Sequence, residues 1–206
     1  KINADITGAL LEVGSNPAES LSKLKGVLEA INKLQRDYGE FSAFKDQGIR
    51  DISKTMKNIE DAISLISKMV AIENPENTHA ALKKKKKELE QLKKEVKEKF
   101  NGGRWKKFRS DMMKVLTDKM KTFVDNLYES IIKGSVSHFT EGNQEESLRA
   151  LADAKEVLKL YNIGKSSPAY ALEKRNSVEK AIEIIEKYGE VNSIASEYSL
   201  TPKEIK

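Results

Sequence analysis

Between Trp105 and Phe139 the larger apolar side chains fall at Trp105, Phe108, Met112, Val115, Leu116, Met120, Phe123, Leu127 and Ile131. Steps of three and four residues keep them on one face of an α-helix, because side chains at that spacing lie one above another. At 1.5 Å per residue such a helix runs roughly 45 to 50 Å, and a stripe that long leaves water only when other long helices lie along it. The spacing predicts an all-α chain, an elongated antiparallel helical bundle of about five to six helices with this one at its centre.

The flanking sequence supplies the other helices. Asn16-Pro17-Ala18-Glu19 joins a cap, a first-position proline and a glutamate three residues after the cap, and it opens a helix over 17–38 with Leu21, Leu24, Leu28 and Ile31 on one face. A second is expected over 42–72, where Ile49, Ile52, Met56, Ile59, Ile63, Ile66 and Val70 keep a strict heptad of coiled-coil type, with Phe41 and Phe44 at its entrance. Asn74-Pro75 stops it, since proline lacks the amide hydrogen and disfavours helix at the residue before. Helices over 78–100 (Leu82, Leu89, Leu92, Val96, Phe100), 104–139, 144–162 and 168–199 complete the set, with Asn143 and Glu146 repeating the cap signature. Leu65, Met69, Ile72, Val124, Tyr128, Ile132, Leu160 and Ile184 fall off the assigned stripes, and a broad buried face is expected to absorb most of them.

With 206 residues, 38% of them hydrophobic, one domain covering 1–206 is the expectation. The longest uninterrupted apolar run, Met69 to Ile72, is far short of the roughly 20 residues of a membrane-spanning helix. Lys1 to Thr7 lack the apolar core of a secretory signal, and Thr201-Pro202-Lys203-Glu204 reads as a helix start at the very end, so a fragment of a longer protein is expected. The absence of cysteine removes disulfides, thiolate metal sites and cysteine nucleophiles together.

Charge is where the chain departs from a bland bundle. From Lys83 to Arg109 thirteen basic residues face four acidic ones, an excess of +9 in a chain whose total is +5, so the remainder is −4. The residues expected to form a surface for an anionic partner are Lys83, Lys84, Lys85, Lys86, Lys87, Lys94, Arg104, Lys106, Lys107 and Arg109. The alternative is a solvated helix face, with Glu90-Lys94 and Glu95-Lys99 as ordinary i,i+4 pairs.

Chemistry is sparse. His79 closes a Glu-x-x-His spacing with Glu76, but a carboxylate-bridged metal pair needs that motif twice, and His138 has Ser135 where the second glutamate belongs. Glu183, Glu186 and Glu190 sit beside Lys180 and Lys187 and read as a solvated face. Gly102-Gly103 is followed by Arg-Trp, not by the Lys-Ser/Thr of a phosphate loop. No catalytic, cofactor or metal residue is assigned. Sequence-specific nucleic-acid binding is disfavoured too, because Trp105 and Phe108 lie on the apolar stripe and no reading helix is marked.

These readings lead to a non-enzymatic interaction module with a macromolecular partner. The lean is toward an exposed bacterial surface protein that engages host molecules. The alternatives are an intracellular tether or scaffold segment, or a peripheral binder of anionic lipid or polyanion through Lys83 to Arg109. A Lys-rich, cysteine-free chain with no signal at its start is similar in composition, though in no motif, to spirochaetal helical surface lipoproteins.

Overall fold

The computed structural model describes residues 1–38, 51–160 and 169–197. These hold seven α-helices: α1 (Ile2–Glu12), α2 (Pro17–Tyr38), α3 (Ile52–Val70), α4 (His79–Lys99), α5 (Trp105–Thr140), α6 (Gln144–Lys159) and α7 (Ala169–Glu197). The chain is all-α, as the spacing predicts. The entrance residues Phe41 and Phe44, the first heptad residue Ile49, the first residue of the helix expected over 168–199 and the cap at Thr201 lie outside the described residues.

Packing divides the chain into two compact units, one of residues 1–74 and 85–120, the other of residues 75–84 and 121–206. In the first, α1 packs on α2 and α2 on α3. Helix α1 was not among the expected helices, although Ile2, Ile6, Ala9, Leu10 and Val13, all buried, carry the same three-four signal. It approaches α2 closely enough for the buried Ser20 hydroxyl to donate to the Ala9 carbonyl at 2.7 Å. That contact turns α2: the buried set is Ser20, Leu24, Val27 and Ile31, while Leu21 and Leu28 are only half-buried.

Helix α3 starts at Asp51, whose carboxylate accepts from the Lys54 amide at 2.8 Å, relieving one of the unpaired donors of the first turn. Its buried face is Ile52, Ile59, Ala62, Leu65, Ile66, Met69 and then Ile72, while Val70 is exposed. The strict heptad is therefore corrected to a broader face. An unsupercoiled helix drifts about 20° per heptad, which carries Val70 out toward water and brings Leu65 and Met69 in.

Leu89, Leu92, Val96 and Phe100 of the α4 stripe are buried here, with Trp105, Phe108, Met112, Leu116 and Met120 of α5. Lys68 reaches Glu95 at 2.9 Å and Lys99 pairs with Asp61, so residue numbers fall on one helix as they rise on the other and α3 and α4 run antiparallel. Lys93 Nζ donates to the Thr117 hydroxyl at 2.7 Å between α4 and α5.

In the second unit α6 packs on α7. Buried residues are Leu82, then Phe123, Val124, Leu127 and Tyr128 of α5, Leu151, Ala154, Val157 and Leu158 of α6, and Ala171, Val178 and Ile185 of α7. Ser135 of α5 donates to the Ser147 carbonyl of α6 at 3.0 Å. Lys174 of α7 pairs with Asp125 at 3.0 Å and stands 4.6 Å over the Tyr128 ring. Of the eight residues left off the stripes, six are buried, Ile132 is half-buried, and Ile184 is exposed. No helix among the described residues is long and apolar enough to cross a membrane.

Candidate anion-binding surface

The turn between α4 and α5 is built on three rings. Phe100 stacks on Trp105 with centroids 5.0 Å apart, and Phe108 meets both edge-on, at 4.9 Å from Phe100 and 5.8 Å from Trp105. All three are buried, so they close the core at this end. Gly103 adopts φ 56°, a left-handed conformation that costs a side-chain-bearing residue energy and lets the chain reverse. Asn101 caps the end of α4 through Nδ2 to the Glu98 carbonyl at 3.2 Å.

On this frame the basic residues fall into two groups. One group is neutralised. Lys85 pairs with Glu88 at 2.9 Å, Lys86 with Glu90 at 3.8 Å, Lys94 with Glu98 at 3.9 Å and Lys107 with Asp111 at 3.0 Å. The expected pairs Glu90-Lys94 and Glu95-Lys99 are replaced, because Glu95 and Lys99 turn across to Lys68 and Asp61 on α3.

The other group keeps its charge. Arg104 bonds the neutral amide of Asn3, Arg109 reaches Asn101 Oδ1 at 3.3 Å, and among the described residues neither has a carboxylate partner. Lys87, Lys97 and Lys106 are exposed and make no ion pair among the described residues. Lys83 and Lys84 are exposed as well and belong to the second unit.

Arg104, Lys106 and Arg109 crowd the N-terminal end of α5, whose first turn carries no acidic residue. A helix start already holds a partial positive charge from its unpaired amides, and each cation there costs a few tenths of a kcal/mol or more at low salt. The arrangement is the reverse of what helix stability selects. It suits a negative group from outside.

Beside the turn is a shallow pocket of about 300 Å³ lined by Lys54, Asn58, Lys99, Phe100, Asn101, Gly102 and Trp105. Lys54 and Asn58 come from α3. Sequence reading missed them because they reach the turn only through the fold, with no spacing to mark them. Two lysines farther along are held away from this surface. Burial pushes the Lys93 ammonium below its ordinary pKa, with Lys97 adding to the effect. Burial also lowers Lys119, aided by the charge of Lys85, while its Nζ donates to the Ile72 carbonyl at 3.1 Å.

Both histidines belong to the second unit. His79 is exposed at the first position of α4, and His138 is half-buried in the last turn of α5. Among the described residues no group of three histidine or carboxylate side chains is placed to hold a metal ion. Compared with known proteins, the chain matches no family model, no curated protein and no solved structure.

Proposed function

We propose that the chain is a non-enzymatic interaction module whose first unit binds an extended polyanion of the sulfated-polysaccharide kind at the α4–α5 turn. The observation that carries this reading is the set of Arg104, Lys106 and Arg109 at the N-terminal end of α5, without a carboxylate partner among the described residues and against the helix dipole. A bound sulfate row relieves that repulsion, and the exposed Lys97 and Lys87 continue the positive track along α4.

The choice among anions follows from what surrounds the charges. A nucleic-acid strand is normally held by aromatic rings that stack on its bases, and here Phe100, Trp105 and Phe108 are engaged with one another. A membrane surface is held more firmly when apolar side chains enter it, and the apolar residues of this turn are buried. A polymer recognised by charge alone fits better. Sulfated polysaccharides lie outside cells, so the reading agrees with an exposed surface protein that engages host molecules and not with an intracellular scaffold.

The test is elution from immobilised heparin by salt, for the protein and for the triple variant Arg104→Gln, Lys106→Gln, Arg109→Gln. Loss of three phosphate- or sulfate-type contacts lowers the slope of log affinity against log salt by about two to three. Equal elution of the two proteins rejects the site. Binding to anionic vesicles that heparin does not compete away replaces the polysaccharide with a lipid surface.

A further inference from the structure

The pocket beside the α4–α5 turn does more than extend the positive surface, because the polar groups it leaves free are mostly donors. Lys54 is exposed and makes no ion pair among the described residues. The Asn58 side chain, half-buried one turn farther along α3, makes no hydrogen bond among them. The Gly102 amide has no backbone acceptor. Trp105 is 9% exposed, and its indole N–H is also without a partner among the described residues. The one partnerless polar side-chain atom shut away from solvent there is Glu12 Oε2, so the indole N–H can be reached from outside.

Two lining groups are already committed. Lys99 gives its charge to Asp61, and Asn101 gives its amide to the Glu98 carbonyl while its oxygen accepts from Arg109 at 3.3 Å. That last bond holds the Arg109 guanidinium at the edge of the pocket, joining it to the cations at the start of α5. No carboxylate lines it.

What remains is the Lys54 ammonium with the N–H groups of Asn58, Gly102 and Trp105, against a single free side-chain acceptor, the Asn58 oxygen. Such a set suits a tetrahedral oxyanion, whose terminal oxygens only accept, carried on a group with a hydroxyl to give to Asn58. A free inorganic anion leaves that acceptor and most of the space unused. About 150 Å³ admits a benzene ring, so the pocket of about 300 Å³ has room for one hexose and its ester group.

Given the polysaccharide reading of the neighbouring cations, on which this depends, we propose that the pocket seats one sulfated sugar residue of the polymer. Its sulfo oxygens accept from Lys54 and from the N–H groups of the turn, and a ring hydroxyl donates to Asn58. The cations at the start of α5 attract any polyanion, and this subsite reads a sugar.

Glucose 6-sulfate, glucose and inorganic sulfate are titrated into the full chain while backbone amide and indole N–H shifts are followed by NMR. The sulfated sugar gives saturable shifts at Lys54, Asn58 and residues 99–105, about fivefold tighter than inorganic sulfate, the worth of one neutral hydrogen bond. Glucose gives none. Lys54→Gln weakens the sulfated sugar about tenfold, as loss of a hydrogen bond to a charged group does, and Asn58→Ala brings it down to the level of inorganic sulfate. Neither side chain belongs to the core, so both variants keep the helical dichroism of the parent. The triple variant at the start of α5 elutes early from heparin yet still binds glucose 6-sulfate saturably.

An absence of saturable shifts with glucose 6-sulfate, or shifts that Lys54→Gln and Asn58→Ala leave unchanged, overturns the subsite and lets the heparin result stand. Inorganic sulfate binding as tightly as the sulfated sugar overturns it too, since the seat then holds an anion and no sugar. Glucose 6-phosphate binding more than about tenfold tighter than the sulfate overturns the choice of ester in favour of a sugar phosphate. Heparin elution unchanged in the triple variant, with the sulfated sugar still held in the pocket, rejects the polymer reading alone and supports the seat.

Discussion

Gly189 sits inside α7 where a helix normally prefers alanine. The reason for glycine there is Gln144 at the start of α6, whose amide nitrogen donates to the Ile185 carbonyl at 2.8 Å. A Cβ at position 189 would stand 1.9 Å from that nitrogen, so the side chain crosses the helix only because none is present. Gly189→Ala gains about 1 kcal/mol of helix propensity and loses a hydrogen bond worth about the same. The expected net change is close to zero. In a Gln144→Ala background the same substitution stabilises by about 1 kcal/mol, and urea melts of the four proteins read the coupling directly. Glu95 offers a pH test. The hydrogen bond from Lys68 is the largest influence holding its carboxyl below the ordinary 4.5. A depressed carboxylate contributes stability above the unfolded-state pKa and loses it as pH falls through the folded one. The stability difference between the protein and Glu95→Gln is therefore present at pH 7 and closes progressively below about pH 4.5. Lys93 runs the other way, because burial lowers it from 10.5. Its charge is a penalty on folding at neutral pH, relieved as pH rises toward 10.5, so Lys93→Met is expected to be the more stable protein at pH 7 with an advantage that shrinks in alkali.

At the scale of single helices, caps and stripes were legible and orientation was not. Asn143 caps α6 as its sequence implies, accepting from the Glu146 amide at 3.3 Å, and Asn16 accepts from the Glu19 amide at 3.2 Å to open α2. The α4 stripe from Leu82 to Phe100 is buried residue for residue. What the spacing could not supply was how far each helix is rolled about its axis. Val27 replaces Leu28 in the core of α2 because α1 packs at Ser20, and Met69 replaces Val70 in α3 because the straight helix drifts from a heptad. Both depend on neighbours distant in sequence, which a one-dimensional pattern does not contain. Asp51 is the cap most open to test. Asp51→Ala removes the acceptor for the Lys54 amide and is expected to cost about 1 kcal/mol in chemical denaturation, with Asp51→Ser avoiding most of that loss.

Over the whole chain, residues 1–74 and 85–120 carry a formal excess of +6, and the remaining residues sum to −1. The positive balance was plain in the sequence, but its composition was not. Five lysines in a row drew attention to Lys83 through Lys87, yet Lys85 and Lys86 are held by Glu88 and Glu90, while Arg104, Lys106 and Arg109, all at the start of α5, have no carboxylate partner among the described residues. Only side-chain geometry separates a charge that is spent from one that remains available. The aromatic cluster at that turn also bears on measurement. Trp105 is the only tryptophan in the chain, and in the first unit it stacks on Phe100 and meets Phe108 edge-on. Its ultraviolet emission is consequently a private signal of that half, silent about α6 and α7, whereas the circular dichroism of the backbone sums every helix. Heating the protein while recording both gives superimposed curves if the halves melt together, and a tryptophan transition displaced from the dichroic one if either yields first.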